Sequence, residues 1–183
     1  MTLRYERLDA AALARWPLPV PRFHLQLYGA GHVGRAIATL LATLDASVDW
    51  IDERDDEFGA TTTLGSAWPA HLRRLCVDTV EAEVATAPTG AFYLVLTHRH
   101  DLDLRITEAV LQRGDFGWLG LIGSLTKRHR FVHRFEQRGI PADRIARLTC
   151  PIGIDAIAGK SPELIAIAVV AQLLQQPHPG RAT

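Results

Sequence analysis

A chain of 183 residues is long enough for one well-buried domain and short for two. Its 20 lysines and arginines balance 20 aspartates and glutamates, which excludes a general electrostatic pull toward nucleic acid or acidic membranes. Two cysteines, Cys76 and Cys150, fit neither a disulfide framework nor a CxxC metal ribbon, so a reducing compartment is expected.

The N-terminus carries Arg4, Glu6, Arg7 and Asp9 where a signal peptide needs an unbroken apolar core. The longest apolar stretch, Leu164 to Ala171, falls far short of the roughly 20 residues that span a bilayer. A soluble cytoplasmic protein is therefore expected. Residues 1–22, including the proline-rich WPLPVP, read as a lead-in, 23–176 as one domain and 177–183 as a polar tail.

From Phe23 onward short apolar runs alternate with helical periodicity, the pattern of a parallel sheet with crossover helices. FHLQLY (23–28) predicts a strand, and Val33, Ile37, Leu40, Leu41 and Leu44 then share one helical face. SVDWID (47–52) predicts a second strand and RLCV (74–77) a weaker third, followed by a helical stretch over 80–87. Residues 53–73 give no clear signal. AFYLVLT (91–97) predicts a buried strand, and the next helix places Leu102, Ile106, Ala109 and Val110 on one side.

WLGLIG (118–123) predicts the next strand, followed by a helix over 124–138 with Leu125, Val132 and Phe135 inward. A sixth strand is expected before TCPIG (149–153). The last helix is capped by Ser161, has Pro162 in its first turn and runs to about Gln175. Its apolar composition predicts burial in the core or at a subunit contact, which makes a homodimer plausible. The fold class is α/β, a doubly wound, mainly parallel sheet in a Rossmann-like three-layer αβα arrangement.

Gly29, Ala30, Gly31, His32, Val33 and Gly34 form a GxGxxG loop between a predicted strand and helix. The first glycine of such a loop permits a tight turn, the second lets backbone approach a pyrophosphate, and the third allows close packing. Amides of the helix starting near His32 would meet the phosphates. Asp52 ends the second strand 18 residues beyond Gly34, near the ~20 expected for a ribose-binding carboxylate. Its charge favours NAD over NADP, whereas Arg54 offers a 2'-phosphate a partner. His32 reads as a surface residue of the first turn.

Three further loops should share this rim, because ligands in such sheets bind beyond the carboxyl ends of the strands. Thr97 and His98 follow the fourth strand and are candidates for ligand contact. His98, His100, Asp101 and Asp103 resemble the HxHxDH signature of metallo-beta-lactamase-type hydrolases. That signature needs Asp and His where this chain has Leu102 and Asp103, so no metal site is predicted. Asp101 or Asp103 is expected to cap the following helix.

Gly123 and Ser124 open a second helix, with Lys127 one turn in, and read either as an anion site or as a capped turn. The basic run KRHRFVHR is closed off by Glu136 and reads as a solvated face. Cys150, before Pro151, presents a thiolate to the rim or lies inert in the core.

Taken together, LYGAGHVGRA, VDWIDER, LVLTHRHDLDL, GLIGSLTKRHRF, LTCPIGI and GKSPELIAIAVVAQLL resemble the C-terminal Rossmann half of the xanthine dehydrogenase accessory protein family. The resemblance implies a maturation factor. Such a factor binds molybdenum cofactor, protects it during sulfuration by a cysteine desulfurase, and passes it to the apo-subunit of a molybdenum hydroxylase. Family members usually carry a further N-terminal domain with a cysteine implicated in cofactor handling, and here about 22 residues precede the first strand. The alternative is an NAD(P)-dependent oxidoreductase, in which His98 is the candidate for proton transfer.

Overall fold

The computed structural model describes residues 21–177. Most of the N-terminal lead-in and of the C-terminal tail lies outside them. In chain order the elements are β1 (His24–Tyr28), α1 (His32–Leu41), β2 (Ser47–Asp52), a 3-10 turn at Asp55–Phe58, and β3 (Leu72–Cys76). A second 3-10 segment (Val80–Thr86), β4 (Phe92–Val95), α2 (His100–Arg113) and β5 (Trp118–Leu121) come next. The chain continues with α3 (Leu125–Gln137), the short α4 (Ala142–Ala146), β6 (Leu148–Thr149) and α5 (Pro162–Leu174).

The six strands form one sheet in the order β3-β2-β1-β4-β5-β6, and every pairing is parallel. The expected Rossmann-like α/β fold is therefore present, and its sheet is wholly parallel. That order reverses direction between β1 and β4, the switch point at which such sheets open a crevice. One face is covered by α1 and α5 around Leu25, Leu27, Ile37, Trp50 and Val169. The other is covered by α2, α3 and the Val80–Thr86 segment around Tyr28, Tyr93, Ile106, Leu119 and Phe135.

β3 is the weak strand because it lies at the sheet edge: of its five residues only Leu72 is buried. The segment without a clear signal is anchored by aromatic packing instead. Phe58 and Trp68 each set their rings 5.0 Å from Trp50. One burial expectation fails. Leu125 is 62% exposed, because it follows the capping Ser124 at the start of α3 and projects at the rim. On α5, Leu164 and Ile167 are also exposed while Ala166, Ala168, Val169, Val170 and Leu173 are buried; the helix lies on the domain surface with one face against α1. No described helix is long and apolar enough to cross a membrane.

Candidate functional site

The chain leaves β1 through Gly29, whose φ of 118° belongs to the region that favours glycine. A Cβ there would lie 2.4 Å from the Leu96 carbonyl oxygen. At Gly34 a Cβ would lie 2.0 Å from the Gly29 carbonyl oxygen, so the helix can pack this closely on the loop only without a side chain. Gly31 differs from both. Its φ of −64° suits any residue, and a Cβ there would meet nothing within 4 Å. The fold does not require a glycine at Gly31, whereas a ligand lying against that backbone would.

β2 holds the loop in shape. The Gly29 amide donates to the Ile51 carbonyl at 2.9 Å, the Trp50 indole N–H donates to the Gly29 carbonyl at 3.0 Å, and the Ala30 amide donates to Asp52 Oδ2 at 2.6 Å. The amides of the first turn of α1 have no intrahelical acceptor and carry the positive end of the helix dipole.

The residues that carry these amides line a crevice of about 320 Å³ at the switch point. Gly31, His32, Val33 and Gly34 line it from the loop, and Thr97 and His98 from the end of β4. Arg54, Glu57, Leu96 and Ile122 complete the lining. His98 is exposed, with Nε2 3.7 Å from Glu53 Oε1. The volume is at the small end of the range for ligand sites, about 300 to 1,000 Å³.

Asp52 is not part of the lining. It is 4% exposed and accepts four hydrogen bonds: from the Ala30 amide, and from the Arg54 amide, Nε and Nη2. Burial alone would raise its carboxyl, but the Arg54 guanidinium and the two amides outweigh burial and hold it below its ordinary value. Asp52 thus braces the glycine loop. Arg54 lines the crevice, but its guanidinium is already shared between Asp52 and Glu57.

The loops after β4 and β5 are tied together by Asp103. Its Oδ1 accepts from the Thr97 amide at 2.9 Å and from the Thr97 hydroxyl at 2.7 Å. Its Oδ2 accepts from Lys127 Nζ at 2.6 Å, and Lys127 also donates to the Ile122 carbonyl at 2.8 Å. Both ends of this ion pair are buried.

Neither acid expected to cap α2 does so. Arg99 occupies the cap position without a side-chain bond, Asp103 turns back onto Thr97, and Asp101 is taken by Arg99 and Arg105. The hydrogen bond from Arg99, opposed by a little desolvation and aided by Arg105, pulls the Asp101 carboxyl down to about 2.

Ser124 caps α3 by accepting from the Lys127 amide at 3.2 Å. A Cβ on Gly123 would sit 2.5 Å from Lys127 Cδ, so this glycine makes room for the lysine stem. Gly123, Ser124 and Lys127 therefore form a capped turn with a buried ion pair and stand outside the crevice. The Cys150–Pro151 peptide is cis. Cys150 is buried, and burial pushes its thiol up despite the nearby Lys127 and Arg128, which favours the thiol over the thiolate. His98 and His100 part company, since His98 lines the crevice and His100 lines a separate cavity between α2 and α3.

Sequence reasoning missed Trp50 and Asp103 as supports of the site, and Glu57, Leu96 and Ile122 as crevice lining. Leu96 and Ile122 were open to discovery, being the residues that leave β4 and β5 at the switch point. No spacing rule singles out Trp50, whose indole reaches from β2 to the carbonyl of the residue that leaves the neighbouring β1.

A family model of the XdhC Rossmann domain matches residues 25–173. Uncharacterized protein YqeB of Escherichia coli K12 is 29% identical over 154 residues, 84% of this chain and 27% of that protein. A crystal structure of a xanthine dehydrogenase from Bacillus halodurans superposes with a TM-score of 0.67 at 24% identity, over 85% of this chain and 44% of that one. The chain thus spans about a quarter of the first relative and less than half of the second.

Proposed function

The chain belongs to the XdhC Rossmann-domain family, and from that premise we propose that it is an accessory domain for a molybdenum hydroxylase of the xanthine dehydrogenase type, holding a phosphorylated cofactor at the switch-point crevice. The cofactor is a dinucleotide such as NAD(P), the phosphorylated pterin of molybdenum cofactor, or each in turn. Its partners on this reading are the apo-subunit of the hydroxylase and the cysteine desulfurase that sulfurates the cofactor.

The observation that carries the reading is Gly31, a glycine that the fold does not need, at the head of a helix whose first amides lack intrahelical acceptors and belong to residues that line the crevice. Phosphate oxygens fit these donors. A ribose grip by Asp52 has less support, because its lone pairs are committed to Ala30 and Arg54. The same pairing neutralises the charge that would repel a 2'-phosphate, so a preference for NAD over NADP has no basis in Asp52. When bound, molybdenum cofactor would supply the metal centre destined for the hydroxylase. The contribution of this chain is to grip its phosphate through the Gly31–Val33 backbone, with Thr97 and His98 on the opposite wall.

The test is to identify the small molecule released on denaturing the purified protein, and to titrate NAD, NADP and molybdopterin into the wild type and a Gly31→Val variant. Binding that is present in the wild type and lost in the variant supports the reading. Failure of all three to bind the wild type sinks it. The placement of His98 on the crevice favours a second reading, an NAD(P)-dependent oxidoreductase. In that case a nicotinamide-coupled turnover would be abolished by His98→Ala with cofactor affinity unchanged.

A further inference from the structure

A second cavity, of about 100 Å³, lies between α2 and α3 and is lined by His100, Asp101, Lys127, Arg130, Phe131 and Arg134. We propose that it is a binding site for a phosphate-sized oxyanion, gripped by the guanidinium groups of Arg130 and Arg134. It is distinct from the crevice and does not depend on the reading given to the crevice.

Most of the other described arginines of this chain are engaged by carboxylates or backbone carbonyls. Arg54, Arg73, Arg99, Arg105, Arg113 and Arg138 close ion pairs with carboxylates, and Arg35, Arg74, Arg144 and Arg147 donate to backbone carbonyls. Arg130 and Arg134 do neither among the described residues, as is also true of Arg22 and Arg128, but of these four only Arg130 and Arg134 line a cavity together. They stand one turn apart on the same face of α3, a spacing at which like charges repel each other and weaken the helix. In a chain with zero formal net charge, two uncompensated guanidinium groups over one cavity form a local feature rather than part of a general basic surface.

The other charges around the cavity are already matched. Asp103 takes the Lys127 ammonium at 2.6 Å, and Arg99 and Arg105 take the Asp101 carboxylate at 2.6 and 3.0 Å. What is left over is positive. Lys127 and Phe131 also line it, with the ammonium 5.4 Å from the ring centroid. The cavity holds roughly three times the volume of one water molecule in the liquid, which suits one tetrahedral oxyanion. Guanidinium pairs bind such groups through parallel charge-assisted hydrogen bonds. This is also a use for the KRHRFVHR run that a neutral chain denies to nucleic acid.

The ligand is either free phosphate or the phosphoryl end of a larger molecule, and the test separates the two. Isotope-labelled protein is titrated at fixed ionic strength with inorganic phosphate and, separately, with a phosphate monoester such as ribose 5-phosphate, while the signals of His100, Lys127, Arg130 and Arg134 are followed by NMR. Saturable shifts at these residues are expected in the wild type, in Gly31→Val, and in Arg128→Gln, a control that removes a positive charge from the same helix outside the cavity lining. In Arg130→Gln/Arg134→Gln the apparent affinity should fall about tenfold or more. Tighter binding of the monoester assigns the phosphoryl end of a larger ligand, and tighter binding of phosphate assigns the free ion. Shifts confined to the Gly31–Val33 amides, shifts that do not saturate, or equal weakening by Arg128→Gln would overturn the proposal. Persistence of binding in Gly31→Val separates failure here from failure at the crevice.

Discussion

Each of the three glycines in the loop has a different dependence on its missing side chain. Gly34→Ala forces a methyl group to 2.0 Å from a backbone oxygen, and the shift needed to relieve that overlap should destabilise the domain by about 2 kcal/mol. Gly31→Ala meets nothing and should cost no more than about 1 kcal/mol, the scale of an altered N-cap. Urea unfolding of the two variants would reveal the difference, and equal losses would contradict the geometry. The spacing of these glycines was legible in the sequence because it recurs wherever backbone meets pyrophosphate. The part played by Asp52 was only half legible. Its position at the end of β2 followed from spacing, but its bond to the Ala30 amide depends on how the loop curls, and that is a property of three dimensions.

The helices show how much an element can reveal about itself and where its surroundings take over. The periodicity of α2 placed Leu102, Ile106 and Val110 correctly in the core, and the Ser161 cap and Pro162 fixed the start of α5. Apolar composition alone did not say which stripe of α5 meets the sheet, because a helix that covers a sheet from one side still turns a stripe outward. Val169→Ala, in the buried stripe, should therefore cost about 1 kcal/mol or more, whereas Ile167→Ala should stay within about 0.5 kcal/mol, both measured by chemical denaturation. At the start of α3, Lys127 looked like a surface cation because nothing local announces that an acid 24 positions away will bury it. Lys127→Met strands the Asp103 charge in the interior and should cost about 3–5 kcal/mol, with only part of that recovered when Asp103→Leu is added, because the Thr97 amide and hydroxyl then lose their acceptor. A double-mutant cycle measures the coupling, and additive losses would show the pair to be weaker than its geometry suggests.

For the whole molecule, the order β3-β2-β1-β4-β5-β6 brings the carboxyl ends of the central strands β1 and β4 side by side, and alternation of strand and helix made that architecture readable. Acid stability is a property at the same scale. Burial pulls the carboxyls of Asp49 and Asp52 upward, yet His24 and Arg73 around Asp49, and Arg54 with the Ala30 amide around Asp52, outweigh it and lower both. Unfolded aspartates titrate near pH 3.9, so as pH falls the unfolded chain takes up these protons before the folded one does. The stabilisation is therefore complete above about pH 5 and drains away as the pH drops through the depressed folded values. Urea midpoints should decline between about pH 5 and about pH 3, and an Asp49→Asn/Asp52→Asn variant should decline less steeply. Asp103 has a wider reach than either, since one oxygen secures Thr97 beside the crevice and the other secures Lys127 in the lining of the arginine cavity. The two hollows thus share a hinge pin, and a lesion at this carboxylate will be felt in both rooms even though it opens onto neither.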